Sequence, residues 1–134
     1  MSDKRQAVTG IGGVFFKARD PKALAVWYRT SLGVPTAEGE THALFTAQGP
    51  DATGAPAVTV WSAFPPDTDY FGPGPAGLMI NYRVADLDAM LAQLRAAGTR
   101  VDDRIEESEY GRFGWATDPE GNRFELWQPP TGGP

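Results

Sequence analysis

The sequence predicts an α+β domain built from two tandem βαβββ modules, and three observations carry that expectation. Short runs of alternating polarity recur along the chain, divided by 16 glycines and 12 prolines, the pattern of many short strands and turns. Two segments with helical spacing, one early and one late, each follow a strand, start at an aspartate and stop at a glycine. The first half also maps onto the second: Phe16 falls on Tyr82, Lys17 on Arg83, Ala18 on Val84 and Asp20 on Asp86, at a constant offset of 66 residues. A βαβββ unit cannot bury its own sheet face, so the two copies are expected to complete one core.

Taken in order, residues 1–9 are polar and expected to fray. Residues 10–18 read as a strand, with Gly13, Phe15 and Lys17 on one face and Val14, Phe16 and Ala18 on the other. Asp20-Pro21 supplies an N-cap and a proline suited to the first helical position. Leu24, Trp27, Tyr28 and Leu32 then form one apolar stripe up to Gly33, with Trp27 and Tyr28 read as core. Residues 34–47 suggest two short strands, His42–Thr46 the clearer, and Gly49–Ala55 a loop. Ala57–Ala63 is rich in branched and aromatic residues and reads as a strand.

Phe64–Ala76 carries four prolines and two glycines, so it is neither helix nor central strand but a connection, with Tyr70-Phe71 as its one aromatic pair. That places module one at about 10–64, the linker at about 65–76 and module two at about 77–129 of a single domain. Leu78–Val84 is the next strand; Asp86 caps a helix whose stripe is Leu87, Met90, Leu91, Leu94 and Ala97, and Gly98 stops it. Residues 99–105 read as a strand, Glu106–Glu109 as an acidic turn, and Thr131–Pro134 as a tail.

Composition narrows the function. A net charge of −5 and a pI near 4.7 leave no basic stripe for nucleic acid. No apolar run approaches the ~18 residues of a membrane span, and MSDKRQAVTG lacks the apolar region of a secretory signal. The absence of cysteine excludes disulfides, thiolate zinc sites and cysteine nucleophiles. A cytoplasmic protein with no membrane and no nucleic-acid partner is expected.

The most informative stretch is Gly111–Pro129, two strands joined by Asp118-Pro119-Glu120-Gly121-Asn122, which is hairpin chemistry. In its second strand Arg123, Glu125 and Trp127 share one face and Phe124 and Leu126 the other. A carboxylate opposite the core-forming residues marks a candidate site.

The duplicated pattern, the opening FFKARDPKALAVWYRTSLG and the closing DPEGNRFELW resemble the glyoxalase/bleomycin-resistance/dioxygenase group, the vicinal oxygen chelate superfamily, over about residues 10–129. The resemblance implies a cup-shaped mixed sheet with helices outside. In enzymatic members it also implies a divalent metal inside the cup, held by the first and last strand of each module. Those ligand positions fall here on Gly13, on Val60 or Trp61, on Met79 and on Glu125, so Glu125 is the only retained one. A divalent cation needs several oxygen or imidazole donors, so no metal or other cofactor is expected. Glu125, Asn81, His42 and water form the alternative donor set.

On the concave face the expected ligand-binding residues are Phe15, Lys17, His42, Trp61 (with Thr59), Met79, Asn81, Arg83, Arg112, Trp115 and Trp127, an aromatic lining with a few polar groups. Glu125 is the candidate acid/base, with Lys17, Arg83 and Arg123 as the cations expected to hold it ionised. The expectation is a protein that binds a small, largely apolar or aromatic molecule in the cup without metal, as a homodimer. The alternatives are a lyase or isomerase using Glu125 or an altered metal site, and an antibiotic-sequestering resistance protein.

Overall fold

The computed structural model describes residues 5–50, 56–73 and 75–130. Of the expected loop Gly49–Ala55, residues 51–55 lie outside them, as do residue 74, the expected tail at 131–134 and residues 1–4. Two helices pack on one face of a mixed eight-stranded sheet. The first module supplies β1 (Gly10–Lys17), α1 (Pro21–Leu32), β2 (His42–Pro50) and β3 (Pro56–Phe64). The second supplies β4 (Leu78–Arg83), α2 (Leu87–Ala96), β5 (Arg100–Val101), β6 (Glu106–Ser108), β7 (Gly111–Thr117) and β8 (Arg123–Gln128). Among the described residues no helix is long and apolar enough to cross a membrane.

Both helices start as their sequences dictate. The Asp20 carboxylate accepts from the Ala23 N–H at 3.1 Å, and that of Asp86 from the Ala89 N–H at 3.0 Å, each satisfying a donor the helix leaves free. Gly33, at φ 73°, closes α1 by donating to the Arg29 carbonyl. Gly98, at φ 86°, does the same after α2 by donating to Arg95.

The sheet runs β2-β3-β1-β4-β8-β7-β5, with β6 also on the outer edge of β7. β1 and β3 are parallel, as are β4 and β8, and β1 and β4 meet antiparallel at the centre. At that seam Val14 pairs with Ile80, its own counterpart 66 residues on, so a local two-fold axis passes between them. The repeat is therefore a structural one, and the modules pair within one chain. A bulge between Ile11 and Gly13 turns consecutive glycines toward the concave side. A Cβ on Gly12 would collide with Asn81 Oδ1 and lie 2.7 Å from Trp127 Cε3, so only glycine lets those side chains lie across β1.

The two faces bury different cores. On the convex side, Leu87, Met90 and Leu91 of α2 pack with Val84 and Leu126. On the concave side, Phe15, Met79 and Trp115 pack with Phe71 from the linker.

Five expectations are corrected. Gly49 and Pro50, expected in the loop, end β2 instead, with Pro50 paired to Pro56 of β3. Residues 34–41 form no strand: Thr36 is tucked under α1, its hydroxyl donating to the Ala25 carbonyl, and the chain then turns at Gly39. The strand expected at 99–105 and the turn at 106–109 become β5 and β6, two pieces along the same edge of β7 separated by a break at Asp102–Ile105. Trp27 is 52% exposed, because α1 rests on the sheet through Ala25 and Tyr28 while Val26, Trp27 and Leu32 point away. Residues 6–9 are tied down rather than frayed: Gln6 exchanges hydrogen bonds with Gln93, and the Thr9 N–H donates to the Arg83 carbonyl.

The seam yields a test. Gly12→Ala should cost about 1–3 kcal/mol through overpacking, read as a lower denaturant midpoint. Gly77→Ala, where a Cβ would meet nothing within 4 Å, should leave the midpoint nearly unchanged.

Candidate functional site

Period two puts Glu125 on the concave face of β8, and its neighbours across the sheet complete its surroundings. Asn81 is opposite it on β4 and Trp115 opposite it on β7. Glu125 is fully buried. Asn81 Nδ2 donates to Oε1 at 2.6 Å, and the Tyr70 hydroxyl donates to Oε2 in a short hydrogen bond. The Trp115 indole N–H lies near enough to favour the ionised form but makes no hydrogen bond of good geometry.

Tyr70 reaches the carboxylate because the linker dips into the cup. Local bonds shape that dip: Thr68 N–H to the Pro65 carbonyl, Tyr70 N–H to Thr68 Oγ1, and Gly72 N–H to the Asp69 carbonyl. Gly72 takes φ 85° where the chain passes against Arg123, a conformation that favours glycine. The Tyr70 ring stacks on Phe64 at 5.4 Å and 11° and meets Trp115 edge-on at 6.3 Å. Phe71 is buried against Phe64, with Lys17 Nζ 5.5 Å from its ring centroid. Beside Tyr70 a cavity of about 100 Å³ is lined by Asp69, Arg104, Trp115 and Arg123.

None of the three expected cations pairs with Glu125. Arg83 Nη1 donates to the carbonyls of Ile11 and Val58, a structural clasp across β1 and β3. Lys17 lies over Phe71. Arg123 pairs with Asp102 at 2.7 Å and lies over the Trp115 ring, as does Arg104, itself paired with Glu106. Burial therefore dominates and pushes the Glu125 carboxyl above its ordinary value; Tyr70, Asn81, Trp115 and the more distant charge of Arg123 oppose it only in part. Burial, then the charge of Glu125, pushes the Tyr70 phenol upward too, so it stays a donor.

The structure thus brings Phe15, Met79, Asn81, Trp115 and Glu125 together. Trp127 shares their face, stacked on Phe113 at 6.1 Å with its indole N–H spent on the Tyr110 carbonyl. Three expected residues lie elsewhere. Trp61 faces α1, packing on Phe16 at 5.2 Å and Tyr28 at 5.1 Å, while Val60 and Phe64 face the cup; Thr59 shares the Trp61 side. Arg112 points to α2, where it grips Asp88 with both terminal nitrogens at 3.0 Å, and its Nε donates to Glu107 of β6 at 2.8 Å. His42 is half exposed beside Glu40, four strands from Glu125, or roughly 19 Å along the sheet at ~4.8 Å per strand. Tyr70 and Arg104 are the residues that motif reading missed; the sole signal was an aromatic pair in a Pro-Gly connection.

A family model described as a glyoxalase-like domain matches residues 13–127. The chain belongs to that family, within the vicinal oxygen chelate superfamily. Among solved structures it is similar to methylmalonyl-CoA epimerase from Streptomyces coelicolor, at 21% identity and a TM-score of 0.64, over 92% of this chain and 99% of that one. The epimerase from Mycobacterium tuberculosis is 22% identical with a TM-score of 0.61, over 97% and 93%. A structure described as an NAD-dependent benzaldehyde dehydrogenase from Legionella pneumophila is 16% identical with a TM-score of 0.58, over 88% and 98%. At these identities the likeness establishes the fold. No curated protein matches.

The register also settles the second inherited metal position. Asn81 pairs with Glu125 as Phe15, its counterpart in module one, pairs with Ser62, so the counterpart of Glu125 is Ser62 rather than Val60 or Trp61. Gly13, Ser62, Met79 and Glu125 do not fit a divalent cation: one lacks a side chain, one is a hydroxyl, one is a buried thioether, and both carboxylate oxygens already accept hydrogen bonds. Among the described residues no group of three His, Asp or Glu could hold a metal.

The raised Glu125 carboxyl sets a pH dependence. The folded protein holds this proton more tightly than the unfolded chain, whose carboxyl titrates near 4.5. Its contribution is complete below that pH and is lost as pH rises through the folded-state value. Glu125→Gln should flatten this decline in urea-unfolding free energy. Tyr70→Phe should cost about 1–3 kcal/mol by removing a donor from a buried carboxylate, with the loss growing as pH rises.

Proposed function

We propose that this protein binds a small, largely apolar or aromatic molecule in its cup, without the family's metal, using Glu125 as the polar anchor. The observation behind this reading is a fully buried carboxylate in an aromatic lining, hydrogen-bonded by Tyr70 and Asn81 and, among the described residues, paired with no cation. An apolar pocket with a few convergent polar groups orients a small ligand by its hydrogen bonds and holds it by its apolar area. The proposed setting is a homodimer in the cytoplasm, with Val26, Trp27 and Leu32 as exposed apolar surface on α1. Equilibrium dialysis against manganese, cobalt, nickel and zinc, with a panel of aromatic compounds, tests the central reading. Saturable aromatic binding with no retained metal is expected; one tightly held divalent ion per chain would overturn it.

A lyase or isomerase is the second reading, favoured by the upward shift that burial gives Glu125, which holds its proton more tightly than an ordinary carboxyl does, as a general acid requires. Under it Glu125→Gln abolishes turnover but keeps ligand affinity, whereas loss of affinity alone returns Glu125 to the anchoring role.

A further inference from the structure

The linker segment around Tyr70 occupies the place of a ligand. Its ring lies in an aromatic slot between Phe64 and Trp115, and its hydroxyl donates to Glu125. The backbone bonds of residues 65–72 given above are internal to the segment, whereas bonds to the strands lie at its margins, from Ala18 N–H to the Phe64 carbonyl and from Lys17 N–H to the Gly77 carbonyl. Side chains, chiefly Tyr70 and Phe71, therefore seat it. With Tyr70 in place the Trp115 indole N–H, at the edge of the slot, has no partner among the described residues. An unpaired buried polar atom opposes the state that leaves it so, which weakens the linker's hold on the slot. The cavity of about 100 Å³ that adjoins the slot, edged by Arg104 and Arg123, leaves room for a substituent on the occupant's ring.

We propose that the cup's ligand is a small phenol that takes the Tyr70 slot, donates its hydroxyl to Glu125 and displaces the linker's aromatic pair. This rests on the binding reading above and narrows it from aromatic compounds to hydroxyaryl ones. The linker then acts as an internal competitor: apparent affinity is the slot's intrinsic affinity reduced by the fraction of molecules in which the slot is open. The hydroxyl is the discriminating group, because an occupant lacking it leaves a buried carboxylate short of a donor.

Calorimetric titration with 4-ethylphenol and its deoxy analogue ethylbenzene tests this on the full chain. The wild type should bind 4-ethylphenol, and hydrogen exchange at the Tyr70 and Gly72 amides should rise on binding. Tyr70→Ala should bind 4-ethylphenol about tenfold more tightly than the wild type and prefer it to ethylbenzene by about tenfold. Adding Glu125→Leu, which leaves no acceptor for the hydroxyl, should abolish that preference. Tyr70→Phe, which keeps the ring, covers the case in which the alanine variant does not fold; it too should bind 4-ethylphenol more tightly than the wild type. Equal affinity for the two probes, or unchanged exchange at the linker, overturns the phenol inference while leaving an aromatic site standing. Binding of neither probe by the wild type or either variant overturns both.

Discussion

The antiparallel seam between β1 and β4 is the constraint on which the rest of the molecule depends. Each module alone leaves one face of its sheet open, and the seam joins the two into a single curved sheet. Because it pairs Val14 with Ile80 about a local two-fold, it brings Gly13 opposite Asn81, and the next pairing sets Asn81 opposite Glu125. The close packing this requires is possible because Gly12 carries no side chain where Asn81 and Trp127 cross it. A polar pair at the bottom of an aromatic cup is thus a consequence of how the repeats meet.

Burying a carboxylate without a cation would ordinarily be costly. Here Tyr70 and Asn81 supply one hydrogen bond to each oxygen, and the charges that could have paired with Glu125 are used elsewhere: Arg83 clasps backbone, Lys17 lies over Phe71, and Arg123 answers Asp102. The result is a carboxyl biased toward its proton inside a cup that its own linker fills. An anchor for a neutral aromatic donor follows from that arrangement more directly than a cation site does.

Local chemistry was readable wherever a residue's role depends on near neighbours. Asp20 and Asp86 cap their helices as their positions require, and β4 and β8 turn Met79, Asn81, Glu125 and Trp127 to the concave side as alternation requires. Trp61 was less readable: in a strand apolar on both faces, a slip of one residue exchanges the two sides, and only pairing with β1 decides it. Arg112 finds Asp88 24 residues away on α2, a partner that no local pattern marks. Tyr70 lies in a segment with no periodicity at all, and its partner is 55 residues further on.

By itself the amino-acid sequence determined both helices and their caps, the repeat, the family and the face on which Glu125 lies, because capping, alternation and turn chemistry act over a few residues. Tertiary structure alone decided that Ser62 is the counterpart of Glu125, that Trp61 belongs to α1, and that the linker returns to hydrogen-bond the buried carboxylate. Those outcomes depend on strand register and on desolvation, and both arise only when distant segments are brought together.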